Sequence, residues 1–215
     1  MPLNLSVNTG DNTPYLKYNA KAGRFFAKFD AAQGKETEVQ NPRLLFDMAN
    51  IKTGYVYFAE GQGPDKIWDP PGGVVEKPAG DKKYKRGFEV MVAGADPIVG
   101  QEVLGLREIC SNAGAAINGI LEMHAAYEAG MAEHPGQVPF FVFKGVETIE
   151  SNYGPSYKPV FNLEAWVDRG RTPFAGDAQV TQSPQPQQGG PPAPPLDAYE
   201  GDPVDPALDS DDLPF

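Results

Sequence analysis

The sequence predicts a mainly β body with one long helix, followed by an acidic extension. Three observations carry this. Short runs of alternating apolar residues recur between residues 24 and 92 and again between 138 and 167. One stretch, 98–131, instead repeats its apolar residues at steps of four and three. From Asp177 to Phe215 there is no Lys or Arg, but eight acids and nine prolines. A length of 215 residues suits one domain with a tail, divided as 1–176 and 177–215.

Residues 1–22 are dense in turn formers, notably Asn8-Thr9-Gly10-Asp11-Asn12-Thr13-Pro14. Arg24 to Phe29 then alternates. Phe25, Ala27 and Phe29 suit a core, leaving Arg24, Phe26 and Lys28 on the opposite face. Arg43–Met48 and Thr53–Ala59 are two further runs, which read together as one long strand bent around Asn50-Ile51-Lys52. In the second run Val56 and Phe58 point inward and Tyr55 and Tyr57 outward. Residues 61–81 form a Pro/Gly-rich loop around Trp68. Lys82, Lys83, Lys85 and Arg86 surround Tyr84 and lead into the run Phe88, Val90, Val92.

The helical stripe reads Val99, Val103, Leu106, Cys110, Ala113, Ile117, Ile120, His124, Tyr127 and Met131. Pro97 precedes it and Pro135-Gly136 follows it. Gly105, Gly114 and Gly119 each weaken it by about 1 kcal/mol relative to Ala. Two strands follow, Val138–Val146 and Val160–Val167. In the second, Phe161, Leu163, Ala165 and Val167 face one way, and Asn162, Glu164 and Trp166 the other.

The tail's low hydrophobicity, single-signed charge and many prolines cannot bury enough apolar surface to offset the entropy of ordering. It reads as solvated and extended. Its tip, Asp209, Asp211, Asp212, Leu213, Pro214 and Phe215, combines acids, a ring and a carboxylate, and so has the makings of a docking peptide.

The formal charge of −11 hides this division. Residues 1–90 hold 13 bases against 11 acids, so the acidic total is compatible with a local basic surface. Cys110 is the only cysteine, which excludes a disulfide within the chain and fits a reducing cytosol. There is no run of 18 apolar residues and no basic, apolar leader, so the expectation is a cytoplasmic protein with no membrane contact.

The ending resembles the C-terminal tip of bacterial single-stranded DNA-binding proteins. The linker Gln182-Ser183-Pro184-Gln185-Pro186-Gln187-Gln188-Gly189-Gly190-Pro191-Pro192 leads to Asp211-Asp212-Leu213-Pro214-Phe215. Leu213 stands where that family has Ile, and Ser210 interrupts the aspartates. The resemblance covers only the 39 residues from Asp177. In kind it is closer to phage-encoded members, which keep such a tail on a divergent core. It implies an OB-fold-like body, a five-stranded partly open barrel with a helix between its third and fourth strands. It also implies unpaired DNA as ligand and replication or repair proteins as partners of the tip.

Binding single strands without sequence preference needs cations for phosphates and flat rings for bases. Arg24, Phe26 and Lys28 supply one such group. Lys52, Tyr55 and Tyr57 supply a second. Trp68, Lys82, Lys83, Tyr84, Lys85 and Arg86 supply a third, with Trp166 on the last strand. Each has a plainer reading: outward rings pair across sheets, and Trp166 equally suits a lid over the helix. Phe25, Phe29, Val56, Phe58, Phe88 and Phe161 read as core. No metal-ligand spacing, phosphate-binding loop or nucleophile motif appears, so neither an enzyme nor a cofactor is expected. The alternatives are a protein-interaction or virion-structural module with a solubilising tail and, further off, a metal-dependent nuclease. Oligomeric state is left open.

Overall fold

The computed structural model describes residues 14–29, 35–60, 62–80, 83–94, 104–150 and 154–177. Its described residues form antiparallel sheets with a single α-helix, the mainly β class the sequence predicts. Strands β1 (Leu16–Asn19), β2 (Arg24–Lys28) and β3 (Glu36–Val39) make a three-stranded sheet. Alternation directs its faces: Leu16, Tyr18, Phe25, Ala27 and Val39 are buried, while Lys17, Arg24 and Thr37 are exposed.

The larger sheet starts with β4 (Arg43–Phe46) and β5 (Lys52–Tyr57). Both pair antiparallel with β7 (Lys85–Gly94), through Phe46↔Val92 and Lys52↔Glu89, on the side opposite β8 (Leu106–Ser111). They are therefore one strand interrupted by the 3-10 turn Met48–Asn50, as the sequence suggests. The interruption is pinned. Asp47, 2% exposed, accepts 2.8 and 2.9 Å hydrogen bonds from both terminal nitrogens of Arg169 and another from Asn50. Strand β6 (Asp65–Trp68) forms a hairpin edge on β5. After β8 come α1 (Gly114–Gly130), β9 (Gln137–Ile149) and β10 (Ser156–Asp168).

With β4 and β5 taken together, the order across the sheet is β10, β9, β4/β5, β7, β8. The helix lies between the third and fourth of these strands in chain order. This is the expected OB-like arrangement of five strands. The described strands number ten, because β1–β3 form a sheet of their own, β6 is added at the edge, and the first core strand is split. The end strands β8 and β10 do not pair with one another among the described residues. The three-stranded sheet bridges them. Tyr15 bridges Glu108 of β8, and the Tyr157 N–H of β10 donates to the Ala20 carbonyl at 2.8 Å.

Two sequence assignments change. Residues 24–29 read as one of the strands of the barrel, and the helical stripe runs from 98. The structure places Arg24–Lys28 in the separate sheet and makes 106–111 the third core strand. The reason is an arginine in the interior. The inward positions of β8 are Arg107, Ile109 and Ser111, all buried, so the period of two is invisible in hydrophobicity. Arg107 is satisfied there: it donates to the carbonyls of Leu104 and Lys28 and lies over the Phe29 ring. Leu106 and Cys110 fall four apart on the other face and mimic a helix. Residues 95–103 lie outside the described residues.

The core packs Phe46 against Phe141 and Phe161, each at 5.6 Å between ring centroids, with Val90, Val92, Ile109, Ile120 and Met123 around them. On the opposite face of the sheet, Leu45, Ala93 and Val138 form a second apolar group. The chain after β10 crosses it and inserts Phe174, which is fully buried. Phe58 is a correction: it reads as core but is 47% exposed, one residue beyond the end of β5.

The helical glycines have a purpose. A Cβ at Gly119 would stand 2.7 Å from the Pro159 ring and 2.9 Å from its carbonyl, and one at Gly130 would stand 2.6 Å from Trp166. The helix thus lies close on β10. Gly119→Ala gains about 1 kcal/mol of helix propensity but meets an overpacking cost of roughly 1–3 kcal/mol. Gly114, with open space around it, has no such conflict. Thermal denaturation of the two variants should show Gly119→Ala melting below the parent and Gly114→Ala at or above it.

Candidate nucleic-acid interface

The interrupted strand and its partners gather most of the predicted contact residues at one place. Tyr55 and Tyr57 are on β5, Trp68 is on the hairpin strand β6, and Lys85 and Arg86 open β7. The register sets Tyr55 beside both Arg86 and Ile67, and Gly54 beside Trp68. Gly54 is required there: a Cβ would come within 2.9 Å of the Trp68 ring. The indole therefore packs close over Gly54 of β5 and remains partly exposed. The Arg86 guanidinium covers the Tyr55 ring at 5.2 Å.

The cations divide into paired and unpaired. Lys52 meets Glu89 at 2.9 Å. Arg86 forms a two-pronged pair with Asp69, at 2.8 and 2.5 Å. Lys83 and Lys85 are exposed and have no carboxylate partner among the described residues. Lys85 opens β7 opposite Val56 of β5, and Lys83 precedes it by two residues. Lys82 lies outside the described residues.

Tyr84 is a correction. Its ring is buried, at 7% exposure, beside Tyr57, and its hydroxyl donates to Asp65 at 2.7 Å. It braces the hairpin rather than offering a face to a base. Trp166 is a second. Its ring stacks on His134 at 4.8 Å, approaches Tyr127, and closes over Gly130. It is the lid over the helix end, the plainer of its two readings. Arg24, Phe26 and Lys28 share a face of β2, but in the other sheet, with Arg24 paired to Glu38 at 3.0 Å and Lys28 over the Tyr15 ring. Among the described residues no strand pairing joins them to the β5–β7 group. Asp209, Asp211, Asp212, Leu213, Pro214 and Phe215 lie outside the described residues.

Sequence reading missed four participants. Exposed Phe58 extends the ring group. Lys66 joins Glu89 of β7 to Glu108 of β8, at 2.6 and 2.5 Å, tying the edge hairpin across the sheet. Burial works against an ionised Glu89, but hydrogen bonds from Lys66 and Lys52 outweigh it and hold its carboxyl below the ordinary value. Asp69 accepts from Arg86, Thr53 and the Val75 N–H. The Arg86 hydrogen bonds lead in holding it far below the carboxylate range. Such partnerships across strands leave no trace in local sequence. Burial pushes the Cys110 thiol, on the outer face of β8, up to about 12, so it is a protonated packing group at neutral pH. Among the described residues no group of three His, Cys, Asp or Glu could hold a metal ion. No helix there is long and apolar enough to cross a membrane.

Asp69 and Glu89 both have lowered folded-state values. Their contribution to stability is complete above the unfolded carboxylate value of about 4 and is lost as pH falls below it. Urea midpoints followed by tryptophan fluorescence should be level from about pH 7 to 5 and fall below about 4. Asp69→Asn should lower the midpoint at pH 7 and make the acid decline shallower. An equally steep decline in the variant would remove Asp69 from the account.

Comparison with protein-family models, curated proteins and solved structures finds no match to this chain.

Proposed function

We propose that the chain is a single-stranded DNA-binding protein. It coats and protects unpaired DNA without strong sequence preference during replication, recombination or repair, and recruits partner proteins through its acidic tip. One observation carries this reading. Partly exposed Tyr55 and Trp68, exposed Phe58 and the exposed cations Lys83 and Lys85 all lie where the first two core strands and their connection meet, with Trp68 and Lys85 on one face of the sheet and Tyr55 and Arg86 on the other. In OB-type barrels the second and third strands, with the loop joining the first two, are a preferred oligonucleotide surface. Rings take bases and ammonium groups take phosphates, which suits a ligand of any sequence.

The tail enters as a second part of the proposal. Its eight acids in 39 residues act as phosphate mimics that compete for the basic surface. A coil of 39 residues would have a reach of roughly 35 Å, enough to cover a small domain. DNA displaces it and frees the Phe215 tip for a replication or repair partner.

Fluorescence anisotropy with labelled oligo-dT tests the body. Phe58→Ala should weaken binding by about 1–3 kcal/mol, the value of one stacked base. The double substitution Lys83→Glu, Lys85→Glu should weaken it further and flatten the logarithmic salt slope by about 0.7 for each phosphate no longer neutralised. If the protein at micromolar concentration and modest salt ignores unpaired polynucleotide, with and without residues 177–215, the proposal fails.

The tail is tested separately. Deleting residues 208–215 should raise oligo-dT affinity, most clearly at low salt, where screening is weakest. Phe215→Ala should abolish capture of a helicase, primase or nuclease partner while leaving oligo-dT affinity intact. Retained capture would exclude the docking role.

A further inference from the structure

The Asp69 carboxylate sits in a cup of four donors drawn from three parts of the chain. Its Oδ1 accepts from Arg86 Nη1 at 2.8 Å and from the Val75 N–H at 3.0 Å. Its Oδ2 accepts from Arg86 Nη2 at 2.5 Å and from Thr53 Oγ1 at 2.6 Å. Tyr55 lies under the guanidinium and fixes its plane. A planar fork, a hydroxyl and a backbone amide converging on two oxygens also suit a phosphodiester, which presents two non-bridging oxygens and one negative charge. The Asp69 side chain is only 9% exposed, but that of Arg86 is 41% exposed, so the fork can be reached from solvent.

The cup's position matters as much as its chemistry. Arg86 follows Lys85 on β7, and Asp69 follows Trp68 on the connection. Val75 belongs to the stretch 70–80, which runs from the hairpin towards Lys83 without forming a helix or strand. The cup thus shares its face of the sheet with the Tyr55 ring, while Lys85 and Trp68, its chain neighbours, lie on the opposite face. A carboxylate at this point removes the one guanidinium of the group from use by a ligand.

We propose that the cup is a backbone phosphate subsite, kept closed in the free protein by the chain's own Asp69. This deepens the single-stranded DNA reading and rests on it. On binding, a phosphodiester takes the place of the carboxylate on Arg86 and Thr53. Asp69 leaves, and the hydrogen bond that ties Val75 to it is broken. Asp69 is then an internal competitor, and the apparent affinity of the free protein is reduced by the fraction of time the cup is closed. A purely structural staple makes the opposite prediction: weakening it loosens the surface and leaves binding unchanged or poorer.

The test compares wild type, Asp69→Asn and the double variant Asp69→Asn, Arg86→Met in oligo-dT titrations, with circular dichroism as the check on folding. Asp69→Asn removes the charge and keeps the shape. It should bind at least about tenfold tighter, since an ionised acceptor is roughly twice as strong as a neutral one. The double variant should lose that gain. In the wild type, the Val75 amide resonance should move as oligo-dT is added, independently of any substitution. In Asp69→Ala, inorganic phosphate alone should shift the Val75 amide and the Arg86 side-chain resonances.

The outcomes separate the two levels. If wild type binds oligo-dT but folded Asp69→Asn binds no tighter, the latch is overturned and the DNA reading stands. Should Asp69→Asn not fold, a Val75 amide unmoved at saturating oligo-dT overturns the latch in the wild type itself. Phosphate that shifts nothing in Asp69→Ala overturns the cup as a phosphate site. If neither wild type nor variant binds oligo-dT at all, the functional reading fails, and the latch with it.

Discussion

The molecule depends on one strand that is broken without being lost. Residues 43–57 must lie along β7 over their whole length, yet three residues are withdrawn into the turn Met48–Asn50. The break lets the two halves do different work. β4 contributes Leu44 and Phe46 to the core and pairs with β9, whereas β5 pairs with the edge hairpin and carries Tyr55 and Tyr57. An interruption in a central strand leaves polar groups to satisfy. Asp47 takes that role: its N–H donates to the Met91 carbonyl, and its carboxylate binds Asn50 and both prongs of Arg169. A buried charge removed from such a pair leaves its partner uncompensated. The same pair fastens the segment that brings Phe174 onto the second apolar group, so one ionic contact links the strand break to the chain after β10.

The ring-and-cation surface follows from that geometry. With β5 on the first half of β7, the edge hairpin falls where Trp68 can cover Gly54 and Lys66 can reach Glu89 and Glu108. The ion pairs neutralise charge at the middle of the sheet and, among the described residues, leave Lys83 and Lys85 without a carboxylate partner at its margin. Total charge says nothing of this. The chain carries −11, yet Lys83 and Lys85 are exposed and without a carboxylate partner among the described residues. The proposed ligand, with phosphates and flat bases, would meet that local arrangement, and the net charge would govern how it approaches.

Much of the fold was legible in residue patterns because most inward positions are apolar. Phe25 and Ala27, Leu44 and Phe46, and Val90 and Val92 alternate or cluster as buried strands should. The bend at Asn50 is legible because a short apolar run, Arg43–Met48, and a run rich in β-formers, Thr53–Ala59, flank it closely. What was not legible shares one cause: side chains whose role contradicts their type. Arg107 points inward, Phe58 outward, and Tyr84 is buried with its hydroxyl bonded, so each breaks the rule that hydropathy reports location. In the surface group, the residues with chemistry were readable, but their pairing was not. Asp69 and Arg86 are seventeen apart in sequence, and Lys66 and Glu108 forty-two apart, so their contacts depend on the register of three strands.

In the proposed scheme two sources of carboxylate oppose phosphate, and they act by different physics. The tail, residues 177–215, carries eight acids and no Lys or Arg. Its effect is long-ranged and is screened at a Debye length of about 10 Å in 0.1 M salt. Asp69 is a single group in direct, partly desolvated contact, with geometry fixed by β5 and β7, and contact pairs of that kind are screened far less. Rising salt therefore disarms the tail before it disarms Asp69. It also weakens the phosphate contacts that must displace both. The balance gives the surface a graded resistance to anions. A short or isolated phosphate meets an occupied fork, whereas a long single strand can reach both faces of the β5–β7 group, with Tyr55 and Arg86 on one and Trp68 and Lys85 on the other. Only the ligand that offers rings and charges together has enough simultaneous contacts to open the cup, which makes the closed carboxylate a filter for polynucleotide over free phosphate.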